Sequence, residues 1–287
     1  MLSIFSCPKV FRGHFNIIQR NAMQSWKSLV PSPEIILIGN EEGTAEVCRQ
    51  WGFQHYPAVK CNEYGTPYMS SIFQIGQKES HYPWVCYVNS AIILMQDFVR
   101  AIERLSVLKN KFLAVGRRWD VPIKESLSYS HPSWEEELSL FVKKNGRLEH
   151  HSAIDCLLFP KGLIVDFPDF TLGRPLWDNW LIYNIKRKRI PIIDCTPVVT
   201  LIHQSHDYSH YHLSGGVWNG SEARANLKLA GGYHHAFTIA DADYQLTQSG
   251  LSKNLLKYYY SFLRNLKIIF YRFICHDLHW GGAKRQR

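Results

Sequence analysis

Asp178 is the residue of this sequence whose surroundings best suit acid–base chemistry. It lies in the run Trp177-Asp178-Asn179-Trp180, directly after Gly173-Arg174-Pro175. A carboxylate among large indole rings loses hydration, which raises its pKa and allows it to accept a proton. Indole faces are also good platforms for sugar rings. The same run is equally typical of an Asp that stabilises the first turn of a helix, with both tryptophans in the core.

A group of histidines follows near the end of a predicted strand. The group consists of His203, His206, His210 and His212, with Asp207 among them. Imidazoles in this place can bind a divalent metal or contact phosphate, and an Asp can orient them. Their spacing matches neither HExxH nor a Cys–His finger. We therefore favour a single site-facing histidine, His203, over a closed zinc site, with a metallohydrolase as a further alternative.

Arg117, Arg118 and Asp120 form a charged segment after another predicted strand. A guanidinium binds phosphate with two parallel hydrogen bonds, and a carboxylate accepts from a sugar hydroxyl. The segment therefore suits a diphosphate and a sugar. A solvated loop whose charges pair with one another explains the same residues.

The elements that position these residues alternate along the chain. Short β-rich runs are followed by segments of helical periodicity, which predicts an α/β fold with a single, mostly parallel central sheet flanked by helices. Ligands of such sheets bind outside the carboxyl ends of the strands. Polar groups follow several predicted strands: they are Gly39-Asn40-Glu41-Glu42, Asn89-Ser90-Ala91, Arg117-Arg118-Trp119-Asp120 and His203. The sequence thus predicts a binding site at this edge of the sheet.

The positive charge of the chain is concentrated in its last residues. Of a formal net charge of +9 over 287 residues, residues 251–287 carry eight Lys and Arg against one Asp. A nearly neutral body with a basic tail does not favour a nucleic-acid binder. Seven scattered cysteines without a CxxC pair indicate a reducing compartment. Without a signal peptide or a run of about 20 apolar residues, a cytoplasmic protein is predicted.

The tail itself predicts an amphipathic helix. Between residues 253 and 272, apolar and aromatic residues keep helical spacing, while Lys and Arg fall mainly on the other side. We therefore divide the chain into a domain at 1–250 and a basic, aromatic helix and tail at 251–287. Such a helix is typical of a contact with an anionic membrane surface. A terminal helix packed on the domain with a solvated basic face has the same pattern.

Several motifs together resemble the GT-A glycosyltransferases, specifically a family 2-like group of bacterial and plant-type sequences. The resemblance runs from Ser3 to about Gly232. The motifs are residues 13–22, 39–45, 62–67, 87–91, 116–120, 159–162, 173–180 and 202–208, which read GHFNIIQRNA, GNEEGTA, NEYGTP, YVNSA, GRRWD, FPKG, GRPLWDNW and IHQSHDY.

The resemblance implies a GT-A fold and transfer of a sugar from a nucleotide diphosphate sugar to an acceptor hydroxyl. Glu41 or Glu42 would then lie near the base or ribose, with Asn62 and Thr66 beside the nucleotide. Asp178 would be the acceptor-side base of an inverting enzyme, and Trp119, Trp177, Asn179 and Trp180 would contact the sugar or acceptor. The donor would bind with Mn²⁺ or Mg²⁺, and the acceptor would be a glycan, a lipid-linked or a small molecule.

One position departs from the pattern of the resemblance. Asn89-Ser90-Ala91 occupies the place of the DxD metal motif, so Ala91 stands where a metal-binding Asp is expected and leaves His203 as the other metal candidate. Three explanations are open: an Asp replaced by Ala, a metal-independent enzyme that uses Arg117, Arg118 or Lys161 as the cation, or an inactive binder of sugar nucleotides or carbohydrate. The expected location is the cytoplasm, with peripheral contact to the inner face of the membrane.

Overall fold

The computed structural model describes residues 1–108, 110–205, 218, 220–264 and 266. The strands are β1 (Leu2–Ser6), β2 (Glu34–Ile38), β3 (Gln54–Tyr56), β4 (Trp84–Val88), β5 (Ile92–Ile93), β6 (Leu113–Val115), β7 (Arg118–Val121), β8 (Arg147–Leu148), β9 (Cys156–Pro160), β10 (Ile192–Asp194), β11 (Leu201–Gln204), β12 (Tyr244–Thr247) and β13 (Gly250–Lys253). The helices are α1 (Gly13–Lys27), α2 (Thr44–Trp51), α3 (Met69–Glu79), α4 (Gln96–Ser106), α5 (Trp134–Asn145), α6 (Trp177–Arg187), α7 (Ser221–Ala230) and α8 (256–264).

A nine-stranded sheet forms the centre of the fold. Its order is β13-β12-β10-β6-β9-β4-β1-β2-β3. The neighbours β3, β2, β1 and β4 run parallel, as do β6, β10 and β12, whereas β9 runs antiparallel between β4 and β6. The predicted α/β fold with a mostly parallel central sheet and flanking helices is confirmed.

A second, four-stranded sheet with the order β5-β11-β7-β8 was not predicted. It arises because the apolar run of residues 84–95 does not form one strand but is broken after Val88. The side chain of Asn89 accepts the Ala91 N–H at 3.1 Å, and the Asn89 carbonyl accepts the Ile92 N–H at 3.0 Å. This turn directs β5 out of the large sheet and into an antiparallel pair with β11. The apolar run of residues 190–203 divides likewise into β10 and β11.

Apolar side chains bury both faces of the large sheet. Leu2 and Ile4 of β1 contribute to the core under α1 and α4, while Phe5 contributes to the core under α3 and α6. Burying both faces explains why the strands are nearly continuous apolar runs.

Two predicted sugar platforms belong to the second of these cores. Trp177 is 7% exposed and packs edge-on against Tyr87, with ring centroids 5.4 Å apart. Trp180 packs against Phe167 and Phe170, at 5.6 and 5.2 Å. The prediction that Trp177 contacts sugar is therefore wrong, because α6 turns this side chain toward the apolar face of the sheet. Trp180 is only partly buried, so its contact with sugar stays a prediction.

Three buried amide side chains join α1 to the second sheet and to the turn after β4. The Gln204 amide donates to the carbonyls of Ile18 at 2.7 Å and Ala91 at 3.2 Å, and its oxygen accepts from Asn21. The Gln19 side chain accepts the Lys9 N–H at 2.7 Å, donates to the Lys9 carbonyl at 2.9 Å, and accepts the Ser90 hydroxyl at 2.9 Å. Buried amides of this kind stabilise one arrangement, because a shift would leave them unsatisfied.

The end of the described chain differs from the predicted division at residue 250. Residues 250–253 form β13, which pairs with β12, so the proposed boundary falls inside a strand. Helix α8 then begins where the Asn254 side chain accepts the Leu256 N–H. The predicted helix is present over 256–264, and its continuation after 266 lies outside the described residues.

Gly76 in α3 gives a test of how tightly the sheet and helix pack. A Cβ atom at this position would overlap the ring of Phe5, and Phe5 is fully buried. We expect Gly76→Ala to lower the free energy of unfolding by about 1–3 kcal/mol, despite its better helix propensity. Urea denaturation measures this change. Gln74→Ala, on the exposed face of the same helix, serves as the control and should change stability by less than about 0.5 kcal/mol.

Candidate functional site

The predicted polar segments that follow β2, β4 and β6 lie at the carboxyl edge of the large sheet, and the segment after β1 lies there too. His203 does not follow a strand of this sheet; it lies within β11 of the second sheet. Because β9 runs in the opposite direction, its amino-terminal end reaches the same edge. This brings in Asp155, the residue before β9, which the sequence analysis did not select. A Tyr on β4, Tyr87, lies at this edge as well.

Asp155 connects the turn after β4 to the second sheet. Its Oδ1 accepts from the Asn89 side-chain amide at 3.1 Å, and its carbonyl accepts the Asn89 N–H at 2.8 Å. Its Oδ2 accepts from the Arg118 guanidinium at 2.5 Å. Both carboxylate oxygens of this buried residue thus have partners, one neutral and one cationic.

Arg118 also forms an ion pair with Asp120, with Nε and Oδ1 2.9 Å apart. Asp120 Oδ1 in turn lies 2.9 Å from Nδ1 of the buried His203. The facing positions of β7 and β11 set this contact, because Asp120 and His203 are register partners. Hydrogen bonds from His203 and the charge of Arg118 lower the pKa of Asp120, although burial alone would raise it. The charges of this segment therefore pair with one another, which was the alternative to a diphosphate loop.

Asp178 lies in the first turn of α6 and faces this network. The pKa of its carboxyl is raised to about 7, mainly by burial and also by the charge of Asp155, while the N–H of Asn179 and the charge of Arg118 act in the other direction. Desolvation raises the pKa of Tyr87, and the charges of Cys7, Asp155 and Asp178 add to this effect. Tyr87 thus lies between the β1 end of the edge and the two carboxyls. A carboxyl that titrates near neutrality can exchange a proton with a bound hydroxyl.

On the β1 side, the predicted nucleotide residues separate into two groups. Burial and the charge of Glu41 raise the pKa of the Cys7 thiol to about 12, which places Glu41 beside the end of β1. Glu42 forms an exposed ion pair with Arg12 at 2.7 Å. The two carboxylates predicted near a nucleoside thus both lie in the loop after β2, Glu41 beside Cys7 and Glu42 beside Arg12.

Asn62 holds its own loop together. Its side-chain oxygen accepts the N–H groups of Tyr64 and Thr66 at 3.0 and 2.9 Å, and its amide donates to Glu222 at 2.6 Å. Glu222 is the buried partner of Arg174, whose Nε lies 2.8 Å from its Oε2. The Asn62 and Thr66 pair thus shapes the loop beside the edge.

Other predicted residues have structural partners or lie elsewhere. Lys161 is at the opposite edge, at the far end of β9, and donates to the Ser80 carbonyl at 2.5 Å, so its predicted role at the diphosphate is wrong. Arg117 donates to the Glu149 carbonyl at 2.7 Å. The Asn179 amide donates to the Phe237 carbonyl at 2.9 Å. The side chain of Trp119 points to the opposite face of β7 from those of Arg118 and Asp120. It packs against the core of the second sheet.

The described residues do not fit a divalent metal. Within them, no three His, Cys, Asp or Glu side chains come together in a way that could hold an ion. Ala91 offers only a carbonyl, which accepts from Gln204, and His203 faces Asp120 through Nδ1. The nearest carboxylate, Asp155, is bonded to a guanidinium that would repel a cation. His206, His210 and His212 lie outside the described residues.

Comparisons with known proteins give structural likeness only. The chain matches no family model and no curated protein. One similar structure is that of a protein from Desulfovibrio desulfuricans described as a nucleotide-diphospho-sugar transferase, with 11% identity over 80% of this chain and 96% of that chain and a TM-score of 0.45. Glucosyl-3-phosphoglycerate synthase from Mycobacterium tuberculosis, in complex with Mn²⁺ and UDP, has 11% identity over 81% and 80% of the chains and a TM-score of 0.47.

A third similar structure is a mannosyltransferase from Pyrobaculum calidifontis in complex with GDP-Man and Mn²⁺, with 8% identity and a TM-score of 0.45. That likeness covers 72% of this chain and 57% of the mannosyltransferase. These structures are sugar transferases, the class that the sequence motifs resemble. At such low identity, no residue role passes from them to this chain.

The raised pKa of Asp178 predicts a pH-dependent stability. The folded chain holds this proton up to about pH 7, whereas an unfolded Asp releases it near 3.8. Ionisation of Asp178 therefore lowers the free energy of unfolding. This loss is absent below pH 3.8 and reaches its full value above pH 7. We expect Asp178→Asn to raise the free energy of unfolding by about 2–4 kcal/mol at pH 8, and by little at pH 4.

Urea denaturation at the two pH values measures this difference. Asp166→Asn, at an exposed position after β9, is the matched control and should show no pH-dependent gain. An equal gain for Asp178→Asn at both pH values would contradict the buried, proton-holding carboxyl.

Proposed function

We propose that this chain is a glycosyltransferase that moves a sugar from a nucleotide diphosphate sugar to an acceptor hydroxyl, with Asp178 as the base. The observation that carries the proposal is the desolvated carboxyl of Asp178, whose pKa is about 7, at the carboxyl edge of the sheet. Ligands of open α/β sheets bind at this edge. The motif resemblance between residues 3 and 232 supports the sugar nucleotide as the donor.

The proposed reaction is a direct displacement that inverts the anomeric carbon. The acceptor oxygen forms a bond to that carbon as the bond to the diphosphate oxygen breaks, and the acceptor proton passes to an Asp178 oxygen. A base with a pKa near 7 is ionised in half or more of the molecules at neutral pH and still basic enough to take the proton. Arg118 and Asn89 hold the two carboxylate oxygens of Asp155 in place, and the charge of Asp155 contributes to the raised pKa of Asp178.

The metal that the family resemblance implies does not enter this mechanism. The donor set at Asn89-Ser90-Ala91 contains no carboxylate, and the substitute carboxylate Asp155 is paired with Arg118. Among the three explanations for Ala91, a metal-independent enzyme agrees best with these contacts.

A sugar-nucleotide or carbohydrate binder without turnover is the second candidate. It is favoured by one observation: Asp155, Asp120 and His203 are already paired within the protein. Such a network is also what a rigid binding site requires. Transfer assays separate the two functions, because both bind the donor.

We also propose that α8 places the protein on an anionic membrane surface, such as the inner face of a membrane that carries a lipid-linked acceptor. Lys257 and Arg264 face inward and pair with Asp243 and Asp241, at 3.2 and 2.6 Å. The outward side is apolar and aromatic instead: Leu255 is 71%, Tyr258 66% and Phe262 60% exposed. A helix packed with a solvated basic face would show the opposite arrangement.

No helix in the described ranges is long and apolar enough to span a membrane. Aromatic side chains favour the interfacial region, and the remaining Lys and Arg of residues 251–287 favour anionic lipids.

We expect at least one nucleotide diphosphate sugar to raise the melting temperature of the protein, since a ligand of the folded state stabilises it by mass action. With the donor that binds, Asp178→Asn should keep its affinity within about threefold and lose 10²–10⁴-fold in transfer rate. The wild-type rate should rise with pH through an apparent pKa of about 7. Product release measured by NMR gives the rate and the anomer.

Asp166→Asn should leave the rate unchanged and serves as the control. Binding without transfer to any glycan, lipid-linked or small acceptor would select the binding protein. Failure of every nucleotide sugar to bind would remove both candidates. A retained anomeric configuration would contradict the single displacement.

For the membrane surface, we expect the protein to sediment with phosphatidylserine vesicles and much less with phosphatidylcholine vesicles. Replacing Tyr258, Tyr259 and Phe262 by Ser should weaken this binding about tenfold or more, because it removes the outward apolar side chains. Replacing Leu140, an exposed apolar residue on α5, by Ser is the matched control. Equal sedimentation of the triple variant and the wild type would exclude α8 as the contact.

A further inference from the structure

A cavity of about 440 Å³ opens between α4 and the segment that joins β10 to β11. Trp119 of β7 and Gln248, in the turn between β12 and β13, complete its lining. Asp178 and Asp155 do not line this cavity. Its volume lies in the range of about 300–1,000 Å³ that is typical of small-molecule sites. The cavity is therefore a second place, apart from the carboxyl edge, where a ligand fits.

The wall opposite α4 is held at both of its ends. The Thr200 N–H donates to Asp97 Oδ2 of α4 at 2.9 Å. The Thr196 N–H donates to Asp194 Oδ1 at 2.9 Å, and the Thr196 hydroxyl oxygen accepts the Arg117 N–H at 2.9 Å. The cavity is thus formed before a ligand arrives, so binding does not have to order this segment.

Two arginines of α4 line the same side of the cavity. Arg100 and Arg104 are four residues apart, so they are neighbours on one face of the helix. Arg104 is held by its Nη2, which donates to the carbonyl of Thr247 and, at 3.4 Å, to that of Gln248. Within the described part of the chain, the lining contains one carboxylate, that of Asp97, against these two guanidinium groups. A guanidinium keeps its proton at physiological pH and binds a carboxylate or phosphate through two parallel hydrogen bonds.

The third feature of the cavity is an indole. Trp119 is partly buried, because it packs on the core of the second sheet and also lines the cavity. Its side chain points to the opposite face of β7 from those of Arg118 and Asp120, and so away from the charged network of the candidate site. Indole faces are good platforms for sugar rings. An indole beside two guanidinium groups therefore suits a sugar that carries negative charge.

We propose that this cavity binds an acidic saccharide, with Trp119 against the sugar ring and Arg100 and Arg104 at its carboxylate or phosphate group. The exposed Gln248 adds an amide that can bond to a sugar hydroxyl. This site goes beyond the proposed transfer reaction at Asp178 and does not depend on it.

NMR of the ¹⁵N-labelled, full-length chain tests where an acidic sugar binds. The chain has nine tryptophans, and the indole N–H signal that is absent from Trp119→Leu belongs to Trp119. We expect glucuronate, glucose 6-phosphate or both to shift this signal, with an affinity about tenfold or more above that for glucose. The first sugar carries a carboxylate and the second a phosphate, so the tighter of the two identifies the acidic group.

Arg100→Gln tests the charge of the site. Because Arg100 is exposed, the change should leave the fold intact. We expect it to weaken binding of the acidic sugar about tenfold, while the affinity for glucose stays within about twofold. Loss of structure would weaken both. Arg49→Gln, at an exposed position of α2, is the matched control and should bind as the wild type does.

Three results would overturn the proposal. A Trp119 signal that neither acidic sugar shifts would exclude the cavity as their site. Equal affinity for glucose and the acidic sugars would remove the role of the two arginines, as would equal affinity of Arg100→Gln and the wild type. Each of these results leaves the proposed transferase in place, because nucleotide sugars test that function. Failure of every nucleotide sugar to bind, in turn, leaves the saccharide site in place.

Discussion

The hydrogen bonds of the Gln19 side chain are the constraint on which the candidate site depends. One buried amide holds the Lys9 backbone after β1 and the Ser90 hydroxyl after β4. Gln204 holds the other side of the same turn through the Ala91 carbonyl. A buried amide has lost its hydration, and only hydrogen bonds to its protein partners offset that cost, so these bonds select one arrangement of the loops. The positions of the charged side chains follow from it.

The turn at Asn89 determines which charges meet. Because it ends β4 and sends β5 to β11, it brings the second sheet, with Arg118, against the amino-terminal end of β9. Arg118 then lies between Asp155 and Asp120, and two carboxylates share one cation. Desolvation and the charge of Asp155 raise the pKa of Asp178, whereas His203 and Arg118 lower the pKa of Asp120. The turn at Asn89 thus leads to two kinds of carboxyl: Asp120, which is paired, and Asp178, which can exchange a proton.

The sequence predicted the α/β class and the edge that carries the site, because both follow from periodicity and from the polar residues after each strand. The direction of β9 was not visible, since an apolar run has no direction in its pattern; Asp155 was missed for that reason, and Lys161 was placed at the wrong edge. Trp177 was misread because an indole in the core and one on a sugar have the same neighbours in sequence. In α8, periodicity separated the basic side from the apolar side. Which side faces the protein depended on Asp241 and Asp243, which are distant from it in the chain.

The antiparallel strand β9 also affects how the sheet can be assembled during synthesis. Strands β1 to β4 lie within the first 88 residues and pair among themselves, but the other edge of β4 pairs only with β9, about 70 residues later. Until then, the Val85-Cys86-Tyr87-Val88 backbone is an unpaired, apolar edge open to other chains. β6 cannot take that place, because it joins the sheet on the far side of β9. During synthesis, an incomplete half-sheet therefore leaves the ribosome well before β9 exists. Chaperones and slow elongation matter most at this stage.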